Sequence, residues 1–348
     1  MKALLLSEYN RLEIVDVPMP RPGPEEVLVR VGACGICGSD VHGFDGSSGR
    51  RIPPIIMGHE ASGTVAAVGP EVAGTREGDR VTFDSTISCG RCEYCRRGDI
   101  NLCNARQVLG VSTSEYRRAG AFAEFVVVPN NIVHHLPGNV ALEEAAMIEP
   151  LAVAVHAVEL ANVAAQSTGL IVGAGMIGLL LLQALRQAGC SRVFVVDIDE
   201  SRLERAKQLG AAATINAKTA DPVAEVQRLM SGVGVDVAFE AVGATPTIKS
   251  AVESVRKGGT VVLVGNIAPK PEIPLQTVVS RQIRLQGSAA SAGEYPRCIE
   301  LLAKGAIDVK PLISVVAPLD EGPHWFERLH AGEANLLKVI LTPAELRA

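Results

Sequence analysis

The stretch "GLIVGAGMIGLLLL", Gly169 to Leu182, decides the fold of the chain around it. Its apolar run meets Gln183 and Arg186 soon afterwards and falls short of the roughly 18 apolar residues a membrane span needs, so it reads as a buried strand feeding a buried helix. Between the two, "GAGMIG" sets Gly173, Gly175 and Gly178 in the G-x-G-x-x-G spacing. The first glycine permits the tight turn, the second lets the backbone approach a pyrophosphate, and the third lets helix and strand pack closely. The helix N-terminus supplies N–H groups to the phosphates. Alone the hexapeptide is a weak signal, because glycine pairs also serve ordinary turns, and a fold of this kind without a dinucleotide is the plainer alternative. Its place between a strand and a helix strengthens it. Asp197 ends the next apolar run, at about the separation expected of an acid on the ribose 2′-OH. A carboxylate there repels a 2′-phosphate, and Asp199 and Glu200 add negative charge, which favours NAD over NADP unless Arg202 turns toward a phosphate.

Outward from this loop the pattern alternates. The runs "TGLIVGAG", "RVFVVDID", "VDVAFEAVG" and "GGTVVLVG" read as strands, and "MIGLLLLQALRQAG", "ESRLERAKQLG" and "TPTIKSAVESVRKG" as helices. Such alternation predicts a doubly wound parallel sheet, a Rossmann domain. Met176 and Ile177 at the helix start, with Val242, Gly243 and Val264 after later strands, complete the candidate dinucleotide site. Before Leu142 the chain is different: short β-like runs such as "EEVLVRVGA" and "GTVAAVG" are separated by turns such as "PRPGPEE", which predicts a compact β-rich domain. A helix over "LEEAAMIEPLAVAVHAVELA" joins the two parts, and the tail adds the helix "EYPRCIELLAKG" and a last strand "LLKVILT". The expected boundaries are 1–152 for the β-rich domain, 153–288 for the Rossmann domain, and 289–348 for a return to the first.

A length of 348 residues also points to about two domains. With 33 basic against 38 acidic residues and no basic tract, nucleic acid is not an expected partner. The N-terminal "MKALLLSEYN" has too short an apolar run for a signal peptide, so the expected compartment is the cytoplasm, with no membrane partner. In a reducing compartment, clustered cysteines are metal ligands rather than disulfides. Cys89, Cys92, Cys95 and Cys103 form C-x2-C-x2-C-x7-C in the lobe at 88–104. Four thiolates can close a tetrahedron around zinc, leaving no position for substrate, so this set reads as structural. Metal-free thiols or a nucleic-acid-binding ribbon are the alternatives, the latter disfavoured because only Arg91, Arg96 and Arg97 lie nearby. Cys34, Cys190 and Cys298 stand alone and read as inert buried thiols.

If the lobe is structural, any chemistry must use other residues. "GICGSDVH" offers Cys37, Ser39 and His42, "MGHEASG" offers His59 and Glu60, and "MIEPLAVAVH" offers Glu149. Each is ordinary by itself: a turn serine, a surface histidine, a glutamate in a first helical turn. His156, on an apolar helical face, reads as a packed core histidine.

In order and spacing, "GICGSDVH", "GHEASGTV", the four-cysteine lobe, "IEPLAVAVHA", "GAGMIG" and "VVDIDESRLERAKQLGA" resemble the zinc-dependent medium-chain alcohol dehydrogenases, in particular the polyol dehydrogenase branch with sorbitol and galactitol-1-phosphate dehydrogenases. The likeness runs over effectively the whole chain. It implies an α/β protein with a GroES-like catalytic domain beside the Rossmann domain, one catalytic and one structural zinc, NAD as cofactor, a small-molecule polyol as substrate, and a homo-oligomer, dimer or tetramer. By the same resemblance Cys37 and His59 match the catalytic zinc ligands, and Glu60 and Glu149 match two carboxylates near the metal. Zinc with one thiolate, one neutral imidazole and one carboxylate is formally neutral, and a second carboxylate would weaken its pull on a substrate oxygen, so Glu60 and Glu149 are not expected to bind together while alcohol is bound. Zinc lowers the pKa of bound water from about 15.7 to about 7 and should act similarly on an alcohol. Ser39 would then take the alcohol proton and pass it toward His42, as the matching residues are thought to do in the family.

The resemblance thins at the substrate. Sorbitol dehydrogenases carry an Arg-Tyr pair where this chain has Ala290 and Ser291, and a tyrosine where it has Gly43. Those differences are expected to remove donors and enlarge the pocket, favouring another polyol, a sugar or inositol alcohol, or a phosphorylated polyol. Arg50 or Arg51 would be the candidate phosphate ligand, a solvated loop arginine being the plainer reading. Threonine or 2,3-butanediol dehydrogenase, or a non-catalytic dinucleotide-binding protein, are the remaining alternatives.

Overall fold

The structure is a computed structural model and describes residues 1–113 and 116–343. The chain divides into two compact units, Met1–Glu149 with Ala292–Ala348, and Pro150–Ser291.

In the second unit the alternating pattern becomes six parallel strands. Their order is Ala213–Asn216, Arg192–Asp197, Thr168–Val172, Val235–Glu240, Val255–Leu263 and Arg284–Gly287. Strand Thr168–Val172 is central and buried along its whole length, as a strand covered on both faces must be. Leu170, Val172, Phe194, Val196, Ala238 and Val261 form part of the core around it. Two differences from the sequence reading have local causes. The helix expected to run through "VRKG" stops at Ser254, because Val255 is buried and pairs with Val235 as the start of the next strand. The strand Ala213–Asn216 and helix Pro222–Leu229 were not expected; the strand is four residues long and carries little apolar signal, but the helix has Asp221 as N-cap and Pro222 in its first turn.

The first unit is built on the long strand Glu26–Gly35. It pairs antiparallel with Glu60–Val68, Phe125–Pro129 and the C-terminal strand Lys338–Thr342. This last pairing, Ile340 with Gly35 and Leu341 with Cys34, brings the end of the chain to the turn after Gly35. The expected joining helix is two: Leu142–Ala145, then Ile148–Ala161. Pro150 explains the break, since it has no N–H and is tolerated in a helix's first turn but not within one. The break leaves Glu149 in a first helical turn, as its ordinary reading had it. Cys34 and Cys298 are buried as expected, whereas Cys190 is only half-buried.

On the returning segment, Tyr295 is fully buried and stacks on His134 with ring centroids 5.1 Å apart. Burial, with His135 adding to it, pulls the His134 imidazole down to about 4. A base whose folded pKa lies below its unfolded value contributes stability above pH 6.5, which is lost as pH falls toward 4. Urea unfolding at pH 7 and pH 4.5 should therefore show the wild type losing about 2 kcal/mol more than His134→Phe. Parallel losses in the two chains would remove His134 as the cause.

Candidate functional site

The dinucleotide loop has the geometry its glycines predict. Gly173 sits at φ +104°, where other residues are strained, and a Cβ on Gly178 would lie 1.8 Å from the Gly173 carbonyl oxygen. Gly175 differs from both: it is the N-cap of helix Met176–Gln187, and a Cβ there would meet nothing within 4 Å. That open space in front of a helix N-terminus is where a pyrophosphate fits. Asp197 accepts from the Ala174, Ile198 and Asp199 backbone N–H groups, at 2.6, 2.7 and 2.9 Å. Three of a carboxylate's four or so lone-pair sites are thus used to fix it, and one remains for a ribose hydroxyl. Arg202 Nε lies 3.9 Å from Asp199 Oδ2, one helical turn back, with the side chain still exposed. Val242 and Gly243 are held by Glu240, a fully buried carboxylate that accepts from both their N–H groups and that sequence reasoning missed.

The lobe at 88–104 contributes almost no core of its own, and its five-residue helix Glu93–Arg97 buries nothing. What it shares is sulfur: one ligand atom each from Cys89, Cys92, Cys95 and Cys103 lies within 4.8 Å of the others. Cys92 and Cys95 are 3.5 Å apart and Cys89 and Cys95 4.0 Å, which bracket the edge of about 3.8 Å for a tetrahedron with zinc–sulfur bonds near 2.3 Å. The Cys89 and Ala105 N–H groups point at Cys103 Sγ. Backbone N–H groups of Cys95 and Asn104 pull the Cys92 thiol down to about 6, while burial and the neighbouring thiols push Cys95 up to about 11. Four thiolates cannot coexist near neutral pH without a cation, and zinc fits this donor set.

A second donor set assembles around the strand pair Gly35–Glu60. Cys37 precedes helix Gly38–Phe44, and His59 and Glu60 lead into strand Glu60–Val68. One ligand atom each from Cys37, His59 and Glu60 lies within 4.8 Å of the others. Gly35 stands opposite Glu60 and makes room for it, since a Cβ there would meet Glu60 Oε2 at 2.3 Å. Glu149 is buried nearby, accepts from Ser85 Oγ at 3.1 Å, and is outside that mutually close group. Burial first, then the charges of Glu60 and Asp84, push its carboxyl up to about 7 against the pull of His59. A thiol, an imidazole and a carboxylate converge here, and such a donor set suits zinc.

Asp40 lies behind this set, fully buried. Its Oδ1 stands 3.4 Å from His59 Nδ1 and 2.9 Å from Arg51 Nη2, and its Oδ2 accepts from the Cys37 N–H at 3.3 Å. Burial works against its charge, but His59 and Arg51 outweigh it and hold the carboxyl at about 2. With Nδ1 facing Asp40, Nε2 is the ring nitrogen left for a metal. Lys338 is also buried, and its Nζ donates to Glu60 Oε2 at 2.5 Å and to the Ile36 carbonyl at 3.0 Å. Burial opposes its charge, yet Glu60 and Cys37 beside it hold it above the ordinary lysine range. Ser39 and His42 lie three residues apart on one short helix, both exposed; His42 Nδ1 is 3.5 Å from Ser47 Oγ.

Two expectations about this region are corrected. Arg51 is not a solvated loop residue free for a phosphate: it is 4% exposed and tied to Asp40 and Ser39. Gly43 does not open the pocket, because Arg51 fills the space a side chain would take, with its Cγ 2.1 Å from an ideal Cβ. Arg50 remains exposed, and His156 is buried as expected.

Residues 23–138 match the alcohol dehydrogenase GroES-like domain and residues 177–304 the zinc-binding dehydrogenase family. The chain is 40% identical to an L-idonate 5-dehydrogenase of Vitis vinifera over 322 residues, covering 90% of this chain and 86% of the relative. It is 36% identical to a sorbitol dehydrogenase of Bacillus subtilis (strain 168), covering 99% and 97%. Among solved structures, a zinc-binding dehydrogenase of Sinorhizobium meliloti 1021 bound to NADP superposes with a TM-score of 0.90 at 35% identity, over 98% of this chain and 99% of that one.

Proposed function

The chain belongs to the zinc-dependent medium-chain alcohol dehydrogenases, and from that premise we propose that it reversibly oxidises a secondary alcohol of a polyol or sugar alcohol to the ketone, with NAD accepting the hydride. The observation that carries the reading is the Cys37, His59 and Glu60 donor set, backed by Asp40 and faced by Glu149. When bound, zinc supplies the electrophile that makes an alcohol acidic, and NAD supplies the hydride acceptor. Cys37, His59 and Glu60 would hold the metal, with Glu149 in reserve beside them. Ser39, on the helix that starts at the Cys37 ligand, accepts the substrate proton and passes it toward His42 and solvent.

NAD over NADP is supported by Asp197 and by Arg202 lying against Asp199. Ala290 and Ser291, with Arg51 filling the space beside Gly43, support a substrate other than sorbitol itself. Because Arg51 is committed to Asp40, a phosphorylated polyol would have only Arg50 from this loop. Among the described residues no helix is long and apolar enough to cross a membrane. A cytoplasmic location suits a lobe of reduced thiols. A homo-oligomer, dimer or tetramer, is supported by the exposed apolar Ile267, Ile273, Leu275 and Val279 near the edge strand Arg284–Gly287 of the six-stranded sheet.

The test is NADH formation by the purified protein with sugar alcohols, inositols, polyol phosphates, L-idonate, vicinal diols and threonine, with NADP in parallel. A NAD-dependent signal on one polyol group names the substrate class. Turnover of threonine or 2,3-butanediol alone would move the enzyme to that other reading, and silence across the panel with zinc bound would sink the polyol reading.

A further inference from the structure

Arg51 carries a buried cation in the catalytic unit that the reaction as described does not use. The residue is 4% exposed, and one nitrogen, Nη2, donates to both Ser39 Oγ at 3.0 Å and Asp40 Oδ1 at 2.9 Å. Its backbone is pinned as well: it bridges to Ser112, a fully buried residue whose Oγ accepts from the Ile52 N–H and donates to the Ile52 carbonyl. Gly43, one helical turn on from Ser39, supplies the channel through which the arginine stem passes. An ideal Cβ at Gly43 would meet Arg51 Cγ at 2.1 Å, Cβ at 2.9 Å and Cδ at 3.3 Å.

We propose that Arg51 is a positioning residue, whose guanidinium ties the Ser39 hydroxyl and the Asp40 carboxylate behind His59 into one unit, and that Gly43 is glycine to admit it. The inference rests on the relay assigned to Ser39. A hydroxyl has two acceptor sites and one donor. With one acceptor site taken by Arg51, Ser39 keeps one to receive a substrate O–H and one hydrogen to give onward, so the guanidinium fixes the direction of the relay. Through the same nitrogen it fixes Asp40, which faces His59 Nδ1 and accepts from the Cys37 N–H, and so it orients two metal ligands at once. Lysine is a poor substitute at this buried position, since its compact ammonium is more strongly hydrated than the delocalised guanidinium and costs more to take out of water.

The experiment compares wild type with Arg51→Ala, Arg51→Lys, Gly43→Ala and Ser39→Ala, all purified with zinc. Two quantities are read: kcat per catalytic zinc, and zinc affinity by competition with a chelating dye. Partners that orient a metal ligand are typically worth about 10–100-fold in affinity or activity. Arg51→Ala should lose about that much in both quantities, be restored in kcat by added guanidinium ion but not by ammonium, and cost far less in kcat when Ser39 is already alanine. Gly43→Ala moves the same side chain without changing any charge and should reproduce the loss in part, which keeps the test usable if Arg51→Ala fails to fold. Wild-type zinc affinity and kcat in either of those variants overturns the proposal, as does a full additive loss in the double variant. Wild-type kcat in Ser39→Ala overturns the relay instead, and the zinc-affinity readout then decides Arg51 alone.

Discussion

Replacing His59 with alanine should leave the chain with one zinc in place of two and slow alcohol oxidation at least about 1,000-fold, the rate equivalent of roughly 4 kcal/mol of lost charge stabilisation. Cys103→Ser should remove one zinc as well, but with the opposite pattern. Its sulfur belongs to a closed set of four and accepts from the Cys89 and Ala105 N–H groups, and the lobe around it has no apolar core to fall back on. Losing that metal should open residues 88–104 to proteolysis and lower the unfolding temperature while kcat per catalytic zinc stays within a few fold. Metal analysis, limited proteolysis and initial rates on the two variants give the answer. If Cys103→Ser abolished turnover in protein that kept its catalytic zinc, the separation into a structural and a catalytic site would be wrong.

Those two sets differ in how much of them the sequence carries. The lobe is local: four cysteines within fifteen residues must converge, so spacing alone defines the donor set. The glycine loop is local too: Gly173 makes the turn at φ +104° and Gly178 packs against the Gly173 carbonyl, as their spacing implies. The catalytic set is harder, because Cys37 and His59 are twenty-two residues apart and each looks ordinary until a strand pairing brings them together. The residues behind it are harder still. Lys338 reaches Glu60 only because the last strand pairs with Glu26–Gly35, a register that no short-range pattern encodes. Arg51 lies in a glycine- and serine-rich loop where arginine is normally solvated, and its burial becomes legible only with the missing side chain at Gly43. Asp40 sits in the middle of "GICGSDVH", with a capping role at the helix start as its ordinary explanation, while its other contacts come from elsewhere in the chain. The splitting of the helix at Pro150 and the early end at Ser254 had local signals, proline and a β-branched valine, that the overall apolar pattern outweighed.

Lys338→Met should bind zinc more tightly than the wild type and yet turn over more slowly. In the metal-free chain the lysine is the cation facing Glu60, with both side chains essentially inaccessible, and removing one member of a buried pair typically costs about 3–5 kcal/mol. The metal-free variant should therefore unfold at a lower temperature. Zinc can take over the role of the lost ammonium, so the stability gained on adding zinc should be larger in the variant than in wild type; by linkage, that extra gain is extra affinity. The cost appears in the reaction. With Nζ gone, Glu60 gives its full charge to the metal and Glu149 is no longer offset, so the site pulls less strongly on a substrate oxygen. Zinc titrations followed by thermal unfolding, set beside kcat at saturating zinc, separate the two effects. Weaker zinc binding in Lys338→Met would reverse the assignment: the lysine would then be the group that holds Glu60 in its ligand position, and the competition between ammonium and metal for that carboxylate would have to be abandoned.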